Sequence, residues 1–319
     1  MDVIKNLEEL TEPLRNPVLT IGNFDGVHRG HLALFNKVKE RAAAIGGQSA
    51  VMTFEPHPLK ILDPEKSPSL ITTTRQKIEL IEKTGMDVLF CLPFTHEFAA
   101  ISAESFVRDL LLGKIGLKEI VVGYDYSFGQ GRRGNIRLLE DMGESLGFKV
   151  HVVKPVLIQD TPVSSTSIRN LLKEGRLEEA REFLGRAYQV AGTVVKGAGR
   201  GGPILGIPTA NLVLEEELTP REGVYAVTVL IDGKTHYGVT NIGYNPTFGN
   251  NTLSVETHIL DFTGDLLGKT IKVNFLHRLR DEKTFESVEK LADQITADIR
   301  RARHLFGIDL TSQQVAQSR

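Results

Sequence analysis

Hydrophobic and polar positions change their period near the middle of the chain. Up to about residue 185, short apolar runs alternate with segments whose apolar residues recur every three or four positions. "PVLTIG" (17–22), "QSAVMTF" (48–54), "MDVLFCLPF" (86–94), "KEIVVG" (118–123) and "KVHVVKPV" (149–156) read as strands. Between them, "HLALFNKVKERAAAIG" (31–46) puts Leu32, Phe35, Val38 and Ala42 on one helical face and stops at Gly46. Residues 72–85, 102–116, 134–147 and 164–185 repeat the helical pattern, opening on threonine, serine or asparagine and closing on glycine. Alternating strands and helices predict a Rossmann-like α/β domain, a parallel sheet with helices on both faces.

From Tyr188 onward the period shortens to two. "YQVAGTVV", "GVYAVTVLI", "KTHYGVTNIG", "TLSVETHIL" and "TIKVNFL" are β-rich, and Asp232-Gly233 between two of them is a hairpin signal. This half reads as a small antiparallel barrel. One amphipathic helix closes it, with Phe285, Val288, Leu291, Ile295 and Ile299 at helical spacing. The predicted domains are 1–184 and 185–319.

Composition narrows the class. The net charge of −2 offers no global field for nucleic acid or an anionic membrane. Cys91, the single cysteine, lies in an apolar run, so a core position is expected and an intrachain disulfide framework is excluded. The first ten residues lack a signal-peptide core and no run approaches a membrane span, which implies a cytoplasmic protein. No oligomeric state follows from the pattern.

The candidate chemistry starts in "VLTIGNFDGVHRGH" (18–31). A strand, a tight turn and a helix start point backbone N–H groups at an anion. Gly22, Gly26 and Gly30 keep side chains clear, and His28 and His31 share one face of the helix start. Imidazole donors there suit nucleotide phosphates, most of all in a transition state with added negative charge. A zinc site would need a third ligand, for which His57 is the candidate; ordinary packing is the other alternative. A second cluster, Ser164, Ser165, Thr166 and Arg169, puts hydroxyls and a guanidinium at another helix start, suited to phosphate where simple capping would need one hydroxyl.

In the second half two familiar strings fail on context. "GAGRGG" (197–202) is followed by Pro203, not by a helix, and "GDLLGKT" (264–270) has its glycines one residue too close for a phosphate loop. The glycine-rich stretch containing Lys196, Gly197, Gly199, Arg200 and Gly206 nevertheless suits an anion nest. Thr209 and Asn211 in "PTAN" are hard oxygen ligands of the kind that suit Mg²⁺. Glu256 in "SVETHILDF" is either a solvated face residue or a general base for a substrate hydroxyl.

Together, "GNFDGVHRGH" and "SSTSIR" resemble the HxGH nucleotidyltransferases. "TFEPHP", "LPFTHEFAAISAESFV" and "VVGYDYSFGQGRRGN" narrow the likeness to bacterial FAD synthetases. "GRGGPILGIPTANL", "GVYAV", "IGYNPTFG", "VETHILDF" and "FLHRLRDEKTFESVEKLADQI" resemble riboflavin kinases. The resemblance runs from about residue 17 to 307. It implies an adenylyltransferase domain and a six-stranded kinase barrel, which phosphorylate riboflavin to FMN and then transfer AMP from ATP to FMN, with Mg²⁺ accompanying the ATP.

The resemblance also implies roles. Gly22, Asn23, Phe24, Asp25, Gly26, His28, Gly30 and His31 would surround ATP, with His28 and His31 catalytic. Ser164, Ser165, Thr166 and Arg169 would close over the triphosphate. His57, Asp125, Tyr126 and Phe128 would line the flavin pocket of the first domain, and Asn245, Arg278 and Arg280 that of the second. The Lys196–Gly206 stretch would hold ATP in the kinase, Thr209 and Asn211 the Mg²⁺, and Glu256 would be the base. Tyr244 and Leu267 depart from the kinase pattern without touching a catalytic role. Expected partners are small molecules only: riboflavin, FMN and ATP, with no nucleic acid and no membrane. The rivals are a chain with one silent domain, one with another acceptor such as pantetheine or a cytidylyl acceptor, and a flavin sensor without catalysis.

Overall fold

Six parallel strands organise the first half of the protein: β1 (Asp2–Ile4), β2 (Val18–Ile21), β3 (Ser49–Glu55), β4 (Val88–Pro93), β5 (Glu119–Gly123) and β6 (Lys149–Val153), in the order β1-β4-β3-β2-β5-β6. This is a computed structural model, and it describes residues 1–10, 12–197, 207–215, 218–245 and 252–308. The chain forms two units, Met1–Ser165 and Thr166–Arg319. The five predicted strands are all present. The edge strand β1 was not predicted, because three residues, two of them exposed, carry no readable period.

Successive residues of the central strands feed opposite apolar layers. Leu19, Met52, Phe90 and Ile120 pack on one face of the sheet. Val18, Val51, Leu89 and Val121 pack on the other, against Phe35, Val38 and Ala42 of α1 (Arg29–Ala44) and Ile81 of α2 (Thr74–Glu82). Both faces are therefore covered, as continuous apolar strands require. The strand order reverses between β2 and β5, and the crevice beyond the carboxyl ends of such a pair is where open α/β sheets bind ligands. The loops after these two strands are the ones that carry the candidate residues.

Helix α3 is Ile136–Leu146. The segment expected as one helix over 102–116 is a short turn from Ala103 to Ser105, capped by the Ser102 hydroxyl, that widens into a π-helix over Phe106–Lys114. The segment over 164–185 is two helices, α4 (Ser165–Glu174) and α5 (Leu177–Leu184), interrupted at Gly175 with its φ of +78°.

In the second unit, β7 (Tyr188–Val195), β8 (Ala210–Leu214), β9 (Gly223–Ile231), β10 (Lys234–Asn245), β11 (Thr252–Ile259) and β12 (Thr270–Arg280) close an antiparallel barrel in the order β7-β8-β11-β10-β9-β12. Ile231 pairs with Lys234 across the predicted Asp232-Gly233 turn. "GDLLGKT" is a turn: Asp265 caps the Leu267 N–H, Lys269 pairs with Asp232 at 2.8 Å, and strand β12 follows. Helix α6 (Val288–Leu305) starts at the Ser287 cap and lays Ile299 and Ala302 against Val224, Val239 and Leu279 of the barrel. A buried pair, Arg280 with Asp298 at 2.9 Å, fixes its register.

Candidate active sites

Beyond β2 the chain turns sharply and enters α1 through a cap made of two histidines. His28 is the cap residue, and its Nδ1 accepts the His31 N–H at 3.4 Å while the Nδ1 of His31 accepts the His28 N–H at 3.4 Å. The rings stack with centroids 3.5 Å apart. Because each Nδ1 accepts a hydrogen bond, a neutral ring carries its proton on Nε2. Both imidazoles thus present an Nε2–H donor at the end of a helix whose dipole favours anions. Gly30 permits the stack: a Cβ there would lie 3.0 Å from His28 Cε1 and 3.1 Å from its Nδ1.

The rest of the loop is braced from below. Phe24 is buried, edge-on to His31 and Phe35, so its ring supports the cradle from the core. The buried Asp25 carboxylate accepts the N–H groups of Ile71 (3.0 Å) and Thr72 (3.2 Å). The Gly26 N–H, at a φ of +82° that favours glycine, donates to Thr72 Oγ1 at 3.1 Å. Ser165, the first residue of α4, donates its hydroxyl to the Asp25 carbonyl at 2.9 Å, and Ser164 precedes it. Thr166 is exposed and Arg169 half-buried one turn along that helix.

His57 caps the short helix Pro58–Leu62 by accepting the Leu59 N–H on Nδ1 at 3.2 Å, and its Nε2 lies 3.1 Å from the Asn23 side-chain amide. Among the described residues no group of three or more His, Cys, Asp or Glu side chains could hold a metal ion. After β5, Asp125 is exposed, while Tyr126 stacks on Phe128 with centroids 5.6 Å apart. Burial raises the Tyr126 hydroxyl above the usual phenol range. Those two rings continue an aromatic row through Phe106, Phe98, Phe94 and Phe54, from the β5 loop to the end of β3.

The chain reading missed Lys77 and most of that row. Lys77 sits on α2 with its ammonium under the loop, 3.3 Å from the Asn23 carbonyl and 3.2 Å from Thr53 Oγ1, and burial lowers it from the usual lysine range. A lysine at helical spacing reads as solvated; only its place beside the buried Ile81 face could have signalled otherwise.

In the barrel, Glu256 on β11 lies between Asn211 on β8 and Asn241 on β10, each its direct cross-strand partner. The flanking Val255 and Thr257 are buried, so the period of two places Glu256 on the outer face. The Ser254 hydroxyl donates to Glu256 Oε1 at 3.0 Å. Gly197 lies against the Asn211 amide, since a Cβ there would meet Nδ2 at 2.1 Å. Thr209 is half-buried just before β8, and Lys196 is exposed. The Pro208 carbonyl beside Thr209 is held by His258 Nδ1 at 2.8 Å, and burial keeps His258 below the usual imidazole range. Asn241 and His258 are further residues the chain reading missed; the two-residue period of β10 and β11 carried that signal.

Gly199, Arg200 and Gly206 lie outside the described residues, as does the side chain of Asn245, whose backbone ends β10 opposite Thr252. Both arginines expected beside the flavin have internal partners. Arg278 reaches the Glu222 carbonyl and Asp281 at 2.7 Å each, and Arg280 holds Asp298.

Comparison with known proteins places both halves. The FAD synthetase family profile matches residues 10–167 and the riboflavin kinase profile residues 184–306. The bifunctional riboflavin kinase/FMN adenylyltransferase of Escherichia coli K12 is 38% identical over 310 residues, 97% of this chain and 99% of its own. That of Pseudomonas fluorescens is 39% identical over 306 residues, 96% of this chain and 98% of its own. A crystal structure from Streptococcus pneumoniae titled as a macrolide-efflux protein superposes with a TM-score of 0.85 at 33% identity, covering 94% of this chain and 98% of that one. No helix among the described residues is long and apolar enough to cross a membrane. Two family profiles covering residues 10–167 and 184–306, and relatives matched over nearly their full length, show that the chain belongs to the family of bifunctional riboflavin kinase/FMN adenylyltransferases.

Proposed function

We propose that residues 185–319 transfer the γ-phosphoryl group of ATP to riboflavin, and that residues 1–184 transfer AMP from a second ATP to the resulting FMN, releasing pyrophosphate. What carries the reading is that one chain holds both an Nε2–H histidine pair at a helix start and a carboxylate flanked by two asparagines on a barrel face.

In adenylyl transfer the FMN phosphate attacks the α-phosphorus, and charge accumulates on the phosphate oxygens. His28 and His31 donate to those oxygens, with Gly22–Gly30 supplying backbone and clearance. Ser164, Ser165, Thr166 and Arg169 would close over the triphosphate. Asn23 and His57, with Asp125, Tyr126, Phe128 and the aromatic row, would set the nucleotide and flavin positions. Phe24 and Asp25 shape the cradle from beneath.

In the kinase the terminal ribityl hydroxyl is the nucleophile, and Glu256 takes its proton. Lys196, Gly197 and the following glycines would face the phosphates. The residues near Glu256 fit a Mg²⁺ brought by the nucleotide: Thr209 and Asn211 are neutral hard-oxygen donors, too few for a protein cage. When bound, the ion neutralises phosphate charge. Asn245, Arg278 and Arg280 belong to the flavin end, where the two arginines act through the backbone and carboxylates they hold. A cytoplasmic location fits ATP and soluble flavins as the only partners.

The test is a time course with riboflavin, ATP and Mg²⁺, the flavins separated by chromatography. FMN should appear and then give way to FAD. FMN without FAD would remove the adenylyltransferase assignment, and no conversion would remove both.

A further inference from the structure

Lys77 is a buried cation that none of the steps above uses. It is 7% exposed, and its ammonium meets three neutral oxygens: the Asn23 carbonyl at 3.3 Å, Thr53 Oγ1 at 3.2 Å and the Phe54 carbonyl at 3.5 Å. Three acceptors around one nitrogen match the three donors of an ammonium, one more than a neutral amine has. Thr53 Oγ1 cannot reverse the bond, because its own proton goes to the Asn23 carbonyl at 3.1 Å. Burying an ammonium carries a large desolvation cost that its contacts must offset. The Glu55 and Asp25 carboxylates favour the charged form from nearby, and the direct contacts of the ammonium are the three neutral oxygens.

The geometry says what the cation does. Two donors from beneath, Lys77 Nζ and Thr53 Oγ1, pull the Asn23 carbonyl toward β3 and α2. In a trans peptide the next N–H points the opposite way. The Phe24 N–H is therefore turned away from β3 and α2. Phe24 holds a φ of +47°, which a non-glycine residue adopts at a cost, so this peptide orientation needs an anchor. Without one, the peptide could rotate and turn a carbonyl oxygen toward the phosphates.

We propose that Lys77 is a positioning residue for adenylyl transfer, holding the Asn23–Phe24 peptide with its carbonyl inward and its N–H toward the ATP phosphates, and placing a positive charge directly behind that peptide. The proposal rests on the assignment of the histidine cradle as the ATP site. It assigns Lys77 to ATP binding and not to flavin binding.

The full-length protein carries its own control, because FMN formation in the barrel reports folded, active chain independently of the first unit. Lys77→Met is expected to raise the KM for ATP in FAD formation at least tenfold, while the KM for FMN stays within twofold. Thr53→Val, which removes one of the two donors and keeps the side-chain shape, is expected to raise the same ATP KM by a smaller factor of about three to ten. An ATP KM raised less than tenfold in folded Lys77→Met overturns the proposal. So does an equal rise in both KM values, which would mark a general structural role. If Lys77→Met fails to fold, Thr53→Val decides, and an ATP KM within twofold of wild type overturns it. His28→Ala separates the two levels: intact FAD formation in that variant would remove the cradle assignment and the Lys77 proposal with it, whereas its loss beside a normal Lys77→Met removes only the latter.

Discussion

The reciprocal histidine cap lets one residue's structural and chemical work be measured apart. His28 satisfies the His31 N–H through Nδ1 at 3.4 Å, which leaves Nε2 as the ring's donor in the neutral form. Alanine removes both contributions. Losing the cap costs about 1 kcal/mol of stability. The ring also leaves a stack with His31, centroids 3.5 Å apart, in a site only 5% exposed, which adds up to about 1 kcal/mol by the usual worth of ring pairs. Losing a donor aimed at developing phosphate charge should cost about 10²–10³ in rate, or roughly 3–4 kcal/mol of transition-state stabilisation. Asparagine separates these terms, since its Oδ1 caps a helix as well as any side chain but cannot reach where Nε2 does. His28→Asn should unfold within about 1 kcal/mol of wild type in urea, form FMN at the wild-type rate, and lose the same 10²–10³ in FAD formation as His28→Ala. The assay is initial-rate chromatography of FAD from FMN, ATP and Mg²⁺, with urea titration alongside. If His28→Asn kept FAD formation within tenfold of wild type, the histidine would be a helix cap and nothing more.

Three further outcomes follow from the same structure. Glu256→Gln should abolish FMN formation from riboflavin, by about 10²–10⁴ for the loss of a general base, and leave FAD formation from added FMN unchanged; chromatography with each flavin supplied in turn checks it. Glu119 is buried on β5 between Arg41 at 2.7 Å and His151 at 2.7 Å, and Arg41 above all holds its carboxyl below the usual range. A carboxylate depressed in the folded state stabilises above its unfolded pKa of about 4.3 and loses that contribution as pH falls through the folded value. Glu119→Gln should therefore be less stable by about 2–3 kcal/mol at neutral pH, the partial exposure of Arg41 moderating the cost of a broken buried pair, and the gap should close in urea titrations below about pH 4. Asp298→Ala removes the carboxylate held by the half-buried Arg280, which keeps the Asp281 carbonyl, and should destabilise the barrel unit by about 2 kcal/mol, read as a lower melting temperature with the helix over Val288–Leu305 exchanging its amides first.

Much of the architecture was legible because burial imposes period. The central strands Val18–Ile21 and Val88–Pro93 are covered on both faces, so they show as unbroken apolar runs, and the barrel strands Tyr188–Val195 and Gly223–Ile231 start and stop where their alternation does. Elements shaped by a few contacts were not legible. Asp2–Ile4 is a strand only because β4 offers an edge, and Ala210–Leu214 hides in a string first read for its oxygen ligands. The site behaved in the same way. His28 and His31 stood out as polar residues at a glycine-rich turn, and the structure places both at the start of one helix; Glu256 fits the alternation of its strand, so its place on the outer face was readable. Asp25 could not be told from a ligand by sequence, since only the Ile71 and Thr72 amides reveal that its carboxylate faces inward. Lys77 was invisible for the opposite reason: a lysine on a helix is ordinarily solvated, and the carbonyl it meets lies in a loop 54 positions away.

The two proposed reactions call for acid groups differently, and the difference follows from their nucleophiles. An FMN phosphate is already an anion, so adenylyl transfer needs donors and gains nothing from a base. A carboxylate in the cradle would repel both the nucleophile and the triphosphate. Asp25 in the histidine loop is held by the Ile71 and Thr72 amides, and Glu55 at the end of β3 accepts the Thr74 hydroxyl. The ribityl hydroxyl of riboflavin is neutral and loses a proton as it attacks. In the barrel, Glu256 stands on the outer face between Asn211 and Asn241, its uncharged cross-strand partners, and a second carboxylate, Glu282, holds the Asn241 side chain. On the proposed mechanism a base is useful where the acceptor is a hydroxyl and dispensable where it is a phosphate. A base introduced into the cradle, as in Asn23→Asp, should accordingly depress FAD formation.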